Sequence, residues 1–209
     1  MEIKTFAFNP FSQNTYVISD QNQAWIIDPG NSNESENKQL FDYIHSNELV
    51  VQAIVLTHAH IDHVLGLSVV DKKFKVPVLL HPIEKEILDL APLSAQRFGM
   101  EFQKVEPELK FIEEGEELIL GKLRFKVIHV PGHSPGHVAF YNEDSQMLIS
   151  GDVLFQGSIG RTDLYKGNGE QLLQSIREKI FTLPENTVVY PGHGPHTLVG
   201  FEKEHNPFF

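Results

Sequence analysis

The stretch Val55-Leu56-Thr57-His58-Ala59-His60-Ile61-Asp62-His63 places three histidines and an aspartate within six positions, directly after an apolar run. With His at about one residue in twenty and Asp a little rarer, H-x-H-x-D-H arises by accident in roughly one chain in a thousand. A solvated polar loop is therefore a weak account of it. His58 and His60 alternate on an extended segment and can converge on one ion. Asp62 and His63 begin a helix and can point at a neighbouring ion, so the spacing alone suggests two metals. Upstream, Val50 to Leu56 is an almost wholly apolar run suited to a buried strand, and Lys38 to Asn47 carries Leu40, Phe41 and Ile44 on one helical face.

Three further segments repeat the pattern of an apolar strand, a Gly or Pro turn and then a coordinating side chain. They are F-K-V-I-H-V-P-G-H ending at His133, M-L-I-S-G-D ending at Asp152 and T-V-V-Y-P-G-H ending at His193. Turns beyond strand ends are where rigid scaffolds hold functional groups. If the four ends share one edge of a sheet sandwich, their ligands meet in one cleft.

The rest of the composition narrows the class. A chain of 209 residues with 41% hydrophobic and 22% charged residues is an ordinary globular protein. The absence of cysteine excludes disulfides, thiolate metal sites and cysteine nucleophiles, so any metal must bind nitrogen or oxygen. A net charge of −11 argues against nucleic acid and anionic membrane surfaces as partners. The first twenty residues lack a basic, apolar leader, and no apolar run approaches the ~18 residues that span a bilayer. A cytoplasmic α/β protein of one domain over residues 1–209 is expected, with no separate C-terminal helical domain. Phe6 to Ile18 and Ala24 to Asp28 read as strands, and His63 to Val70 as a helix. Ala91 to Glu117, punctuated by Pro92, Gly99, Pro107 and Gly115, reads as loops over a site. Asp28, at the end of W-I-I-D, is either a turn cap before Pro29-Gly30 or a carboxylate that accepts an N–H from a ligand histidine.

The ordered set H-x-H-x-D-H, P-G-H-S-P-G-H, G-D and P-G-H-G-P, with N-T-Y near the start and D-P-G at 28–30, resembles the metallo-β-lactamase superfamily. Within it, the likeness is to short bacterial glyoxalase II-like proteins, the hydroxyacylglutathione hydrolases. It runs from Asn9-Pro10-Phe11 through G-S-I-G-R-T-D at 157–163 to Asn206-Pro207-Phe208. The resemblance implies a four-layer αββα sandwich of two mixed β-sheets flanked by helices. It also implies that His58, His60 and His133 hold a first metal, that Asp62, His63 and His193 hold a second, and that Asp152 bridges them. It favours the ligand-supporting role for Asp28.

Two divalent ions, zinc or else iron or manganese, would lower the pKa of a shared water toward ~7. The expected reaction is attack of a metal-bound hydroxide, oriented or bridged by Asp62 and Asp152, on the thioester of a small acyl-thiol such as S-lactoylglutathione. Arg161, with Tyr165 and Lys166 behind it, is the candidate for gripping the substrate, although Arg161 could instead pair with Asp163. Sixteen residues follow His193, so no counterpart is expected of the C-terminal helical extension that supplies glutathione contacts in larger glyoxalase II enzymes.

The alternative of a different reaction class is a persulfide dioxygenase of the same fold. It shares the G-R-T-D loop and would use one iron held by His58, His133 and Asp152. The remaining histidines are read as non-ligands: His129 as a packed core residue, His137 as structural, and His45, His81, His196 and His205 without partners at telling spacing.

Overall fold

Runs of β-branched and aromatic residues, interrupted by turn-forming polar residues, build two six-stranded sheets in the computed structural model, which describes residues 1–209. The chain divides into two compact units, Met1–Phe111 with Ile119–Leu123, and Ile112–Leu118 with Arg124–Phe209.

The first unit contains β1 (Glu2–Phe8), β2 (Gln13–Asp20), β3 (Gln23–Ile27), α1 (Glu34–Ser46), β4 (Val50–Val55) and α2 (Ile61–Val64). Then follow α3 (Leu67–Phe74), β5 (Val78–Leu80), α4 (Glu84–Asp89), α5 (Ala91–Arg97) and β6 (Leu109–Phe111). Its sheet has the order β1-β2-β3-β4-β5-β6, antiparallel through β3 and parallel from β3 onward. Asn33 starts α1 by accepting the Glu36 N–H, a cap of the kind worth about 1 kcal/mol. Leu40 and Ile44 of α1 pack with Ile26, Ile54, Val78 and Val70 in one buried apolar core. Because Ile27 pairs with Val55 in parallel register, Asp28 and Thr57 leave the sheet side by side at its carboxyl edge.

The second unit holds β8 (Leu123–His129) from Arg124 onward, β9 (Val138–Asn142), β10 (Met147–Gly151), β11 (Leu154–Phe155) and β12 (Ser158–Ile159). It continues with α6 (Gly169–Ser175), a π-helical turn over Ile176–Ile180, β13 (Val188–Pro191), β14 (Thr197–Leu198) and α7 (Val199–His205). With β7 (Glu117–Leu120), the order of this sheet is β14-β13-β10-β9-β8-β7. Strand β9 is antiparallel to β8 and β10, and β13 is parallel to β10. Hence β8, β10 and β13 all run the same way, and the segments bearing His133, Asp152 and His193 leave from one edge.

Three expectations from the sequence need correction. Residues 6–18 are not one strand but parts of the β1–β2 hairpin, interrupted at Asn9–Ser12 where Asn9 and Ser12 adopt left-handed φ of 55° and 54°. The apolar residues on both sides disguise that turn. Residues 91–117 are not all loop: α5 begins at Ala91, where Pro92 in the first turn starts a helix instead of breaking one, and β6 adds an edge strand. The helix read over His63–Val70 is two helices, because the chain turns at Gly66, where a side chain would collide with Asn31.

In the second unit, Glu202 of α7 is fully buried. Its Oε1 accepts from the Thr197 hydroxyl at 2.6 Å, and its Oε2 accepts from Gly157 N–H at 2.9 Å and Asn206 Nδ2 at 2.8 Å. Glu202→Ala strands three donors and is expected to lower unfolding stability by about 2–4 kcal/mol. Urea denaturation checks this, and an unchanged midpoint would contradict it.

Candidate functional site

At the carboxyl edge of the first sheet, Asp28 organises the H-x-H-x-D-H segment. It is buried, with a left-handed φ of 49°. Its Oδ1 accepts the Thr57 N–H at 2.8 Å, and its Oδ2 accepts both the Thr57 hydroxyl at 2.6 Å and the His63 Nδ1–H at 2.9 Å. A carboxylate accepts and does not donate, so these contacts fix the proton positions. With the Thr57 hydroxyl proton directed at Asp28, the 3.0 Å contact between Thr57 Oγ1 and His58 Nδ1 has the imidazole N–H as donor. Both His58 and His63 therefore carry their ring proton on Nδ1 and keep a lone pair on Nε2, the arrangement suited to metal ligation.

Donor atoms of Asp28, His58 and His63 lie within 4.8 Å of one another, close enough to enclose an ion. The directions of these hydrogen bonds argue against that use. The Asp28 oxygens are occupied by N–H and O–H donors and the nearby Nδ1 atoms bear protons, so Asp28 supports ligands and is not one itself. His60, at the N-cap of α2, sets its ring edge-on to His58 with centroids 4.8 Å apart. Asp62 and His63 occupy the first turn of α2, with Asp62 Oδ2 3.6 Å from His63 Nε2.

The second unit repeats the logic. His133 is buried and its Nδ1–H donates to the Arg161 carbonyl at 2.7 Å, which leaves Nε2 as the ligating atom. The Asp152 N–H donates to His137 Nε2 at 3.1 Å, so His137 braces the backbone of a candidate ligand. One oxygen of Asp152, Oδ2, stands 3.6 Å from His133 Nε2 and 3.5 Å from His193 Nε2. These separations are long for hydrogen bonds. Each suits a pair of donors on one ion, since two donors ~2.0–2.1 Å from a tetrahedral metal are about 3.4 Å apart, so Asp152 Oδ2 can share an ion with either imidazole. Space is tight here: a side chain at Gly160 would put a carbon 1.9 Å from the Asp152 carbonyl oxygen.

The seven side chains therefore fit divalent metal chemically. All donors are nitrogen or oxygen, suited to zinc, iron or manganese, and the tautomers of His58, His63 and His133 present Nε2. Of the residues expected to meet substrate, Arg161 is engaged: its Nε and Nη2 donate to Asp163 at 2.6 and 2.7 Å. Tyr165 is exposed, and Lys166 Nζ lies 5.4 Å from its ring centroid. His129, half-buried, contacts the Pro135 carbonyl through Nε2 at 3.0 Å. Reading the sequence missed Thr57, whose position beside His58 was a clue, and the Arg161 carbonyl, for which side-chain chemistry offers no signal.

The Arg161 guanidinium holds the Asp163 carboxyl down to about 2. A depressed carboxyl pKa means the ion pair is complete above the ordinary value near 3.8 and is lost as pH falls through about 2. Carbon-detected NMR titration of Arg161→Ala is expected to return Asp163 to roughly 3.9. An unmoved midpoint would show that the guanidinium is not the cause.

Residues 8–193 match the family described as the metallo-beta-lactamase superfamily. The chain is 37% identical to hydroxyacylglutathione hydrolase GloC of Haemophilus influenzae, over all of this chain and 98% of that protein. The crystal structure of the BLEG-1 B3 metallo-beta-lactamase superposes with a TM-score of 0.90 at 41% identity, covering 99% of both chains. The crystal structure of TTHA1623 in a di-iron-bound form also gives 0.90, at 36% identity, covering 99% of this chain and all of that one. Family match, mixed sheets and histidine-aspartate ligand chemistry agree: the chain belongs to the metallo-β-lactamase superfamily and has its α/β fold.

Proposed function

We propose that this chain is a dinuclear metal-dependent hydrolase of acyl thioesters, with S-lactoylglutathione or a related hydroxyacyl-thiol as substrate. The observation that supports the dinuclear reading is the single Asp152 oxygen within co-ligand distance of two imidazole Nε2 atoms, at 3.6 and 3.5 Å, a placement from which one carboxylate can serve two ions. In this reading His58, His60 and His133 would hold one ion, Asp62, His63 and His193 would hold the other, and Asp152 would serve both. The di-iron form of TTHA1623 supports two ions, and the likeness to GloC supports hydroxyacyl-thiol hydrolysis.

When bound, two divalent ions supply a water acidic enough to attack at neutral pH and positive charge to polarise a carbonyl. The chain supplies the rest. Asp28, through Thr57 and directly, keeps His58 and His63 in the tautomer that offers Nε2. The Arg161 carbonyl does the same for His133. Asp62 and Asp152 orient the attacking water by accepting its hydrogen bonds. No serine, lysine or cysteine nucleophile is needed. Tyr165 and Lys166 meet the polar thiol half of the substrate, together with Arg161 Nη1, the guanidinium nitrogen outside the pair with Asp163.

The deciding experiment is a turnover assay on S-lactoylglutathione after reconstitution with zinc, iron or manganese. Thiol release with at least one metal is expected. Oxygen uptake with a persulfide and no thiol release would replace this reading by an iron dioxygenase, and turnover of a β-lactam alone would replace it by a lactamase.

Asp152→Ala is expected to lose both ions together, as counted by inductively coupled plasma mass spectrometry. Two tightly retained ions in that variant would remove the bridging role.

A further inference from the structure

The tripeptide Asn-Pro-Phe occurs at 9–11 in the first unit and again at 206–208 in the second. With each residue type at about one position in fifteen to twenty, a second copy arises by accident in roughly one chain in twenty. Both copies fold alike. Asn9 Oδ1 accepts the Phe11 N–H at 3.0 Å, and the Asn9 carbonyl accepts the Ser12 N–H at 3.1 Å. Asn206 Oδ1 accepts the Phe208 N–H at 3.2 Å, and the Asn206 carbonyl accepts the Phe209 N–H at 3.1 Å. Each is a β-turn with proline at its second position, closed a second time by the asparagine side chain. The chain enters the two turns differently, with φ of 55° at Asn9 and −71° at Asn206, so the likeness lies in the turn itself.

The turn uses only the side-chain oxygen and leaves the amide Nδ2 to donate elsewhere. In each unit it donates to the main chain of a segment bearing a candidate aspartate ligand. Asn9 Nδ2 reaches the carbonyl of Asp62 itself at 2.9 Å, and the Gly30 carbonyl at 3.0 Å. Helix α2 is a single turn, and the Gly66 N–H that would reach back to Asp62 in a longer helix donates to the Pro29 carbonyl at 2.8 Å. Asn9 thus takes the place of the next helical turn and holds the backbone from which Asp62 projects. Asn206 Nδ2 reaches the Ser158 carbonyl at 3.1 Å, and Glu202 Oε2 at 2.8 Å. Ser158 belongs to the β11–β12 hairpin that follows Asp152. The chain comes back from that hairpin beside its start: the Gly160 N–H donates to the Val153 carbonyl at 3.3 Å, and the next residue, Arg161, supplies the acceptor for His133.

We infer that the two turns are matched clamps, with Asn9 a positioning residue for Asp62 and Asn206 a positioning residue for Asp152. The inference rests on the dinuclear reading, in which these are the two carboxylate ligands. Aspartate is a short side chain, so the aim of its oxygens follows its backbone closely, and a backbone held before the ion enters has less freedom to lose on binding.

Serine in place of either asparagine keeps an oxygen for the turn but loses the reach to the distant carbonyl. Zinc affinity is measured by competition with a chromophoric chelator, and the ions held are counted by mass spectrometry. Asn9→Ser is expected to raise the Kd of one zinc ion at least about tenfold, and Asn206→Ser that of both, because Asp152 would serve both. Asn142→Ala is the matched control. Buried Asn142 makes a similar turn, with Oδ1 accepting the Ser145 N–H at 2.8 Å and Nδ2 donating to the Arg124 carbonyl at 2.9 Å, but where β10 starts, at the other end from Asp152. A merely structural asparagine lowers the urea midpoint and leaves zinc affinity unchanged, as Asn142→Ala is expected to do. If a serine variant unfolds, the titration is repeated in trimethylamine N-oxide, which is excluded from protein surfaces and restores folding. Affinities within about twofold of wild type in either serine variant overturn the inference, as does an equal loss in Asn142→Ala. Should the wild type hold a single ion, the dinuclear reading fails and the inference is decided on Asp152, a ligand in the one-ion reading as well. A hold about tenfold weaker in Asn206→Ser then supports it, and an unchanged hold overturns it.

Discussion

A buried carboxylate is stable only when its lone pairs are met by donors, and Asp28 meets that demand with groups that each set one part of the ligand segment. The Thr57 N–H fixes where the chain leaves β4, the Thr57 hydroxyl passes the acceptor demand on to His58, and the His63 ring N–H ties α2 back to the same carboxylate. One side chain thereby fixes two imidazole tautomers and the path between them. The parallel register of β3 and β4 makes this feasible, because it ends both strands at the same level. Replacing Asp28 by a residue of the same shape without the charge would leave geometry but weaken the proton placement on which metal ligation by Nε2 depends.

Sheet direction performs the corresponding task in the second unit. Three strands running the same way deliver His133, Asp152 and His193 to one edge, and the short turns after them leave little freedom. Gly132 has a φ of 137° and its α-carbon sits so close to Leu172 that any side chain would meet that backbone at 2.3 Å. The glycine before His133 is thus required both by conformation and by the approach of α6.

The parts visible in the sequence were those with a local chemical signature. The apolar strand followed by H-x-H-x-D-H marked β4 and the segment after it, and the Pro-Gly-His and Gly-Asp strand ends marked β8, β10 and β13. What escaped was fixed by tertiary contact. The turn at Asn9–Ser12 owes its conformation to Asp62, Gly30 and Glu36, all remote in sequence. The pairing of Arg161 with Asp163 was open in the sequence because both a surface ion pair and a substrate contact satisfy the same residues. The acceptor for His133 is a main-chain carbonyl, which every residue possesses and none advertises.

Loops that carry ligands leave the sheet, so their backbone N–H groups lose ladder partners and must find other acceptors. Both units meet this need with a fully buried glutamate from a helix. Glu84 of α4 accepts the Ala59 N–H, between His58 and His60, at 2.9 Å. Glu202 of α7 accepts the Gly157 N–H, in the loop after Asp152, also at 2.9 Å. An uncharged acceptor could satisfy the same geometry with less desolvation, but charge-assisted hydrogen bonds are shorter and about twice as strong. Rigid ligand loops lower the ordering cost of metal binding, since less conformational freedom remains to be lost when the ion enters. Burying these carboxylates therefore makes physical sense where the ligand atoms must already be in place, and the same reasoning explains why they brace the loops next to the histidines and aspartates instead of the ordinary surface turns.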